Sequence, residues 1–122
     1  MVTRFLAPLA LVAVTPAVMA QEAAPAPQLT VEQSATLRCA AAFAIVSHGQ
    51  ANGNEAALEY PALGERGREF FVRAGARLMD ELTLDREGIQ ALVSAEAQRL
   101  WEEDAIPDVM PACLLLLDAS GV

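Results

Sequence analysis

Apolar positions along the chain recur with helical period, and no alternating stretch is long enough for a sheet strand. A first helix is predicted from Thr30 to His48. Thr30 and Gln33 match a capping box, in which each side chain satisfies a free amide of the first turn. Val31, Leu37, Cys39, Phe43, Ile45 and Val46 supply its apolar side, and every residue from Cys39 to Val46 is apolar. A run that is apolar all the way round predicts a stretch of helix nearly encircled by protein. Gly49 suits a left-handed cap, and Gly49 to Tyr60 reads as a loop with one short helical turn at Glu55 to Glu59.

A second helix is expected from Pro61, a residue favoured in a first turn. Leu63, Gly67, Phe70, Phe71, Ala74, Leu78 and Leu82 share one face, and Glu69–Arg73 and Arg77–Glu81 form i,i+4 pairs on the other. Gly64, Gly67 and Gly75 are candidate points of close helix approach. A third helix follows a cap at Thr83, with Ile89, Leu92, Val93, Leu100 and Trp101 inward. It runs into Glu102, Glu103 and Asp104, and negative charge at a helix C-terminus predicts a frayed or exposed end. A fourth, short helix is predicted from an N-cap at Asp108, with Pro111 in its first turn. Its Met110, Cys113 and Leu114 to Leu117 surround more than half of the helix, which places it among the others. The expected fold is all-α: a small four-helix bundle, one domain over residues 30–122.

The N-terminus reads differently. Arg4 precedes an apolar run from Phe5 to Val14, Pro16 breaks it, and Val18-Met19-Ala20 fits a cleavage site. Residues 1–20 are therefore expected to be a signal peptide; the apolar run is shorter than the ~20 residues a span needs. Residues 21–29, rich in Ala and Pro, read as a flexible leader.

Cleavage after Ala20 would leave seven arginines, no lysine and all sixteen acidic residues, a net charge of −9. Such a surface repels nucleic acid and anionic lipid, and the lack of lysine removes Schiff-base chemistry. No nucleic-acid partner and no stable membrane span are expected. The two cysteines, Cys39 and Cys113, read as a disulfide in an oxidising compartment, with two free thiols or an intermolecular bridge as the alternatives. A bridge between them would tie the last helix to the first.

Candidate chemistry is sparse. His48, the only histidine, has neighbours that form no constellation, and the acidic run Glu102, Glu103, Asp104 and Asp108 lacks the spacing of a calcium loop. Neither catalytic nor metal-binding residues are assigned, no cofactor is expected, and the protein is read as a non-enzyme. Tyr60, Phe70, Phe71 and Trp101 are the candidates for an inter-helix pocket or partner surface.

Three stretches, Arg38 to Val46, Tyr60 to Glu81 and Met110 to Gly121, resemble small exported two-cysteine helical proteins of alphaproteobacteria. That resemblance implies export and brings no activity with it. Through Cys39, Phe43 and Cys113 the chain is loosely similar to the periplasmic acid-stress chaperones of the HdeA type, from which it departs in having no lysine. The similarity implies a helical chain pinned by one long-range disulfide. Near pH 3 the carboxylates, with ordinary pKa values of about 3.9 and 4.3, would be mostly neutral and the sign of the molecule reversed. The expected function is a periplasmic or secreted protein-binding or envelope-stress factor whose partner is another envelope protein. The alternative is a small-ligand carrier or accessory subunit with an inter-helix apolar pocket.

Overall fold

The structure, a computed structural model, describes residues 12–14 and 26–122. Most of the expected signal peptide and the first part of the expected leader lie outside the described residues. From Val31 onward the chain forms α1 (Val31–Ala51), α2 (Glu55–Leu58), α3 (Arg66–Leu82), α4 (Arg86–Glu102) and α5 (Ile106–Ala119), with no strand among the described residues. The fold is all-α: four long helices and the single short turn that α2 adds between the first two of them.

Helix α1 starts where the sequence predicts. The Gln33 amide donates to Thr30 Oγ1 (3.1 Å) and the Thr30 amide donates to Gln33 Oε1 (3.0 Å), closing the capping box. Helix α1 is also the centre of the bundle, in contact with each of the other four helices. Its alanines explain this. Ala40, Ala41 and Ala42 are all buried, and with only a Cβ each they let neighbours approach on several sides. The leucine-rich α5 was expected in that place. Instead it lies on the outside, with Met110, Cys113 and Leu117 turned to the core and Leu115 72% exposed.

The core is apolar throughout, with no buried polar or charged side chain among the described residues. Phe43 of α1 and Phe70 of α3 meet edge to face, ring centroids 5.1 Å apart. Gly67 lets α3 close onto this pair, since a Cβ there would stand 3.0 Å from Leu63 Cβ and 3.5 Å from Phe43 Cβ. Gly64 and Gly75 face open space, so only one of the three glycines makes the expected close approach. A second cluster of Leu37, Leu78 and Ile89 closes the opposite end of the bundle. Cys39 and Cys113 are joined by a disulfide, with Cα atoms 5.2 Å apart and both residues buried, which ties α5 to α1.

Several element boundaries differ from expectation. Helix α1 runs through Gly49 to Ala51 rather than ending at His48, and Gly49 is not a left-handed cap. Helix α3 begins at Arg66 rather than Pro61. The cause is Gln50, whose Nε2 donates to the carbonyls of Ala57 (3.0 Å), Tyr60 (3.3 Å) and Pro61 (2.9 Å), while its Oε1 accepts from the Leu63 amide (3.0 Å). Those backbone groups are satisfied without helix. Thr83 is no N-cap. It takes a left-handed conformation (φ 54°) at the end of α3, and Asp85 caps α4 by accepting from the Gly88 amide at 2.7 Å. Helix α5 begins at Ile106, without a side-chain cap, and Asp108 lies in its first turn.

Candidate functional site

The end of α4 meets its negative charges in an orderly way. Asp104 adopts φ 50°, its amide donates to Trp101 O (3.2 Å) and the Ala105 amide donates to Leu100 O (2.9 Å). This is a Schellman motif with Asp in the position glycine usually holds. Of the two expected outcomes, a frayed or an exposed end, the end is exposed from Trp101 to Asp104 and is not frayed, because the motif satisfies the last carbonyls. Arg99 adds to the closure through Glu96 (2.5 Å) and Glu103 (2.6 Å). The hydrogen bond to Glu96 holds the Arg99 guanidinium above its ordinary pKa. The motif turns the chain sharply, so the last turn of α4 and the first turn of α5 form two adjacent walls.

The third wall is made by α1 and α2. Gly49 is needed there, since a Cβ on it would stand 2.8 Å from Ala57 Cβ. Asn54 caps α2 by accepting from the Ala57 amide (3.0 Å), and Gly53 makes the preceding turn at φ 73°. The Asn52 side chain donates to His48 O (2.8 Å), closing the end of α1. Gln50 then fixes Tyr60 beside this wall through the hydrogen bonds already described.

Between these walls lies an open groove of about 950 Å³. Its floor is Val46 and Leu100, both buried, and its sides include Ala44, Ile45, Tyr60, Trp101, Ile106 and Pro107. His48, Asn52, Asn54 and Asp104 are its polar edge. Ala44 is exposed and Ile45 half-buried, so the apolar run of α1 is not fully encircled as its composition predicts. It is left open on this side. Trp101, the only tryptophan in the chain, is 73% exposed, although a large aromatic gains most from burial.

The four aromatic residues singled out in the sequence are divided between two places. Tyr60 and Trp101 line the groove. Phe70 belongs to the core against Phe43, and Phe71 packs half-buried on the same core. The residues that pattern reading missed are Ala44, Ile45, Ile106 and Pro107 as lining and Gln50 and Gly49 as positioning residues. Among the described residues no three His, Cys, Asp or Glu side chains converge as metal ligands would. Comparison with family models, with curated proteins and with solved structures returns no significant match.

Proposed function

We propose that this chain is an exported, non-enzymatic protein of the bacterial envelope that acts by binding another protein through the groove between α1, α2, α4 and α5. The observation that carries the reading is the open apolar groove with Trp101 exposed at its edge. A contiguous apolar surface on a small acidic protein is a cost in solubility unless it is covered in use. Trp and Tyr, both present here, are the residue types that most often dominate protein interfaces. Export to the periplasm or beyond is supported by the disulfide, which persists in oxidising compartments, and by the signal-like N-terminal sequence. No helix among the described residues is long and apolar enough to cross a membrane.

The second reading, a small-ligand carrier, is favoured by one number. A volume of about 950 Å³ falls inside the range of small-molecule sites, roughly 300–1,000 Å³. Its open side argues for a macromolecular occupant, because carriers bury most of their ligand.

A photoreactive residue at Ala44 or Ala56, both exposed on the groove, separates the two readings. The same residue at Arg68, exposed on α3, is the control. Irradiation in the native envelope followed by intact-mass analysis is expected to give a protein-sized adduct at Ala44 and Ala56 and none at Arg68. An adduct of a few hundred daltons would replace the reading with the carrier. Equal labelling at all three positions would remove the groove as the site.

A further inference from the structure

Resting on the binding reading above, we propose that the segment this groove receives is a cationic amphipathic helix of the partner protein.

The charge of this molecule is unevenly placed. No arginine or lysine occurs between Arg38 and Arg66, or after Arg99. The groove is assembled from those two stretches, Ala44 to Tyr60 and Leu100 to Pro107. The same stretches and the turn beside them carry Glu55, Glu59, Glu102, Glu103, Asp104 and Asp108, all exposed. Glu103 is neutralised by Arg99. The other five take part in none of the ion pairs among the described residues. Elsewhere both signs are interspersed: Arg66, Arg73, Arg77 and Arg99 are each matched to carboxylates, and Arg38, Arg68 and Arg86 share the remaining surface with Glu65, Asp80, Asp85 and Glu87. His48 is the only basic side chain lining the groove. Asp104 lines the groove, and Glu55, Glu59, Glu102 and Asp108 each adjoin a lining residue in sequence. An apolar floor with unmatched carboxylates on its flanking segments is complementary to a segment with an apolar face flanked by positive charge.

The form of the occupant follows from the walls. They are helices and helix ends, and no strand edge is present among the described residues to extend by hydrogen bonding. Recognition therefore falls to side chains presented at i, i+3 and i+4 along a helix, inserted over Ala44 and Ile45. Trp101 and Tyr60 stand at the sides, where their ring faces can receive a Lys or Arg head group by cation–π attraction.

The test uses the oxidised full chain and three synthetic peptides that share one apolar face and contain no tryptophan. Their polar faces carry Lys, Gln or Glu. Trp101 fluorescence is the readout, since no other tryptophan contributes. The Lys peptide is expected to shift the emission and to bind about ten-fold or more tightly than the Gln peptide. Its affinity is expected to fall several-fold as ionic strength rises from about 0.05 to about 0.5 M. A Glu102→Gln, Asp104→Asn double variant, in which Asn tolerates the left-handed turn, is expected to lose most of that preference while keeping wild-type helicity. Equal affinity for the Lys and Gln peptides, or tighter binding of the Glu peptide, would overturn the cationic assignment and leave the groove as a protein-binding site. No shift with any peptide, together with a shift on adding a small apolar dye, would overturn both and favour the carrier.

Discussion

The two sides of α1 use similar residues to opposite ends. Toward α3, Phe43 is fully buried against Phe70, Gly67 removes the last gap, and Arg77 bridges Glu81 of its own helix and Glu32 of α1. Toward α2 and the α4–α5 turn, Ala44 and Ile45 meet no such partner and the surface stays open. The chain had the means to close this side as well. Trp101 is large enough to cover Ile45, yet it stands 73% exposed. Stability is concentrated on one side of the helix, and the apolar surface left over is concentrated on the other. A helix of small residues can serve as both core and floor because it presents little bulk in any direction.

The comparison is broken most severely by removing what both sides share. Replacing Cys39 and Cys113 by Ser opens a closed loop spanning a sequence separation of 74, and the chain-entropy model sets the loss at about 4 kcal/mol. Urea unfolding of the double variant is expected to show that loss with helicity unchanged in the remaining native state. Gln50→Ala comes next. It strands several backbone groups of the 57–63 segment, at a cost of about 2 kcal/mol. Hydrogen exchange should rise in that segment and around the groove, and stay low in α3. An equal rise across α3 would show that the two sides are not separable.

A gain is expected at Thr83, where a β-branched residue holds φ 54°. Thr83→Gly relieves that strain and should raise stability by about 1 kcal/mol, measured as an increased thermal midpoint. Trp101→Ala sharpens the contrast: being exposed, it should change stability by no more than about 0.5 kcal/mol while abolishing binding of the Lys peptide, measured by titration calorimetry because the variant has no tryptophan to report. A loss of several kcal/mol would mean that Trp101 belongs to the core.

The smallest effect is that of acid. Hydrogen bonds from Gln33 and Arg77 hold the Glu81 carboxyl below its ordinary pKa. A lowered folded-state pKa contributes stability that is present above the unfolded value of about 4.3 and is lost as pH falls through the folded value. The pair is solvent-exposed and its share is small. Because the core of the described residues holds no titratable side chain, helicity is expected to persist at pH 3, with a slightly lower thermal midpoint. Glu81→Gln should flatten that slope, and an unchanged slope would assign the acid dependence to other carboxylates.

Much of this architecture is legible in the order of residues. The capping box at Thr30, the buried face of α3 from Gly67 to Leu78 and the pairing of Cys39 with Cys113 all follow from local spacing or from cysteine count. What could not be read depends on contacts across the chain. The start of α3 is set by a side chain on α1, Gln50, and no local pattern around Pro61 records it. The centrality of α1 over α5 is a matter of volume: four leucines look more like a core than three alanines do, but alanine permits closer packing. The groove was only half legible. Tyr60 and Trp101 declare themselves as large aromatic residues, whereas Ala44, Ile106 and Pro107 become lining only because the Asp104 turn brings α5 beside α1.

The disulfide also sets an order in time. The helix at the centre of the bundle is the first of the five to be synthesised, and its covalent partner belongs to the last. Between those events the apolar stretch from Cys39 to Val46 gains its neighbours on α2, α3 and α4 but still lacks Met110, Cys113 and Leu117 of α5. A growing chain of this design exposes the α5-facing side of that stretch until α5 arrives, so its success depends on what shields that side in the interval. Assembly is then gated by the last helix, and the Cys39 thiol has no native partner until that helix emerges.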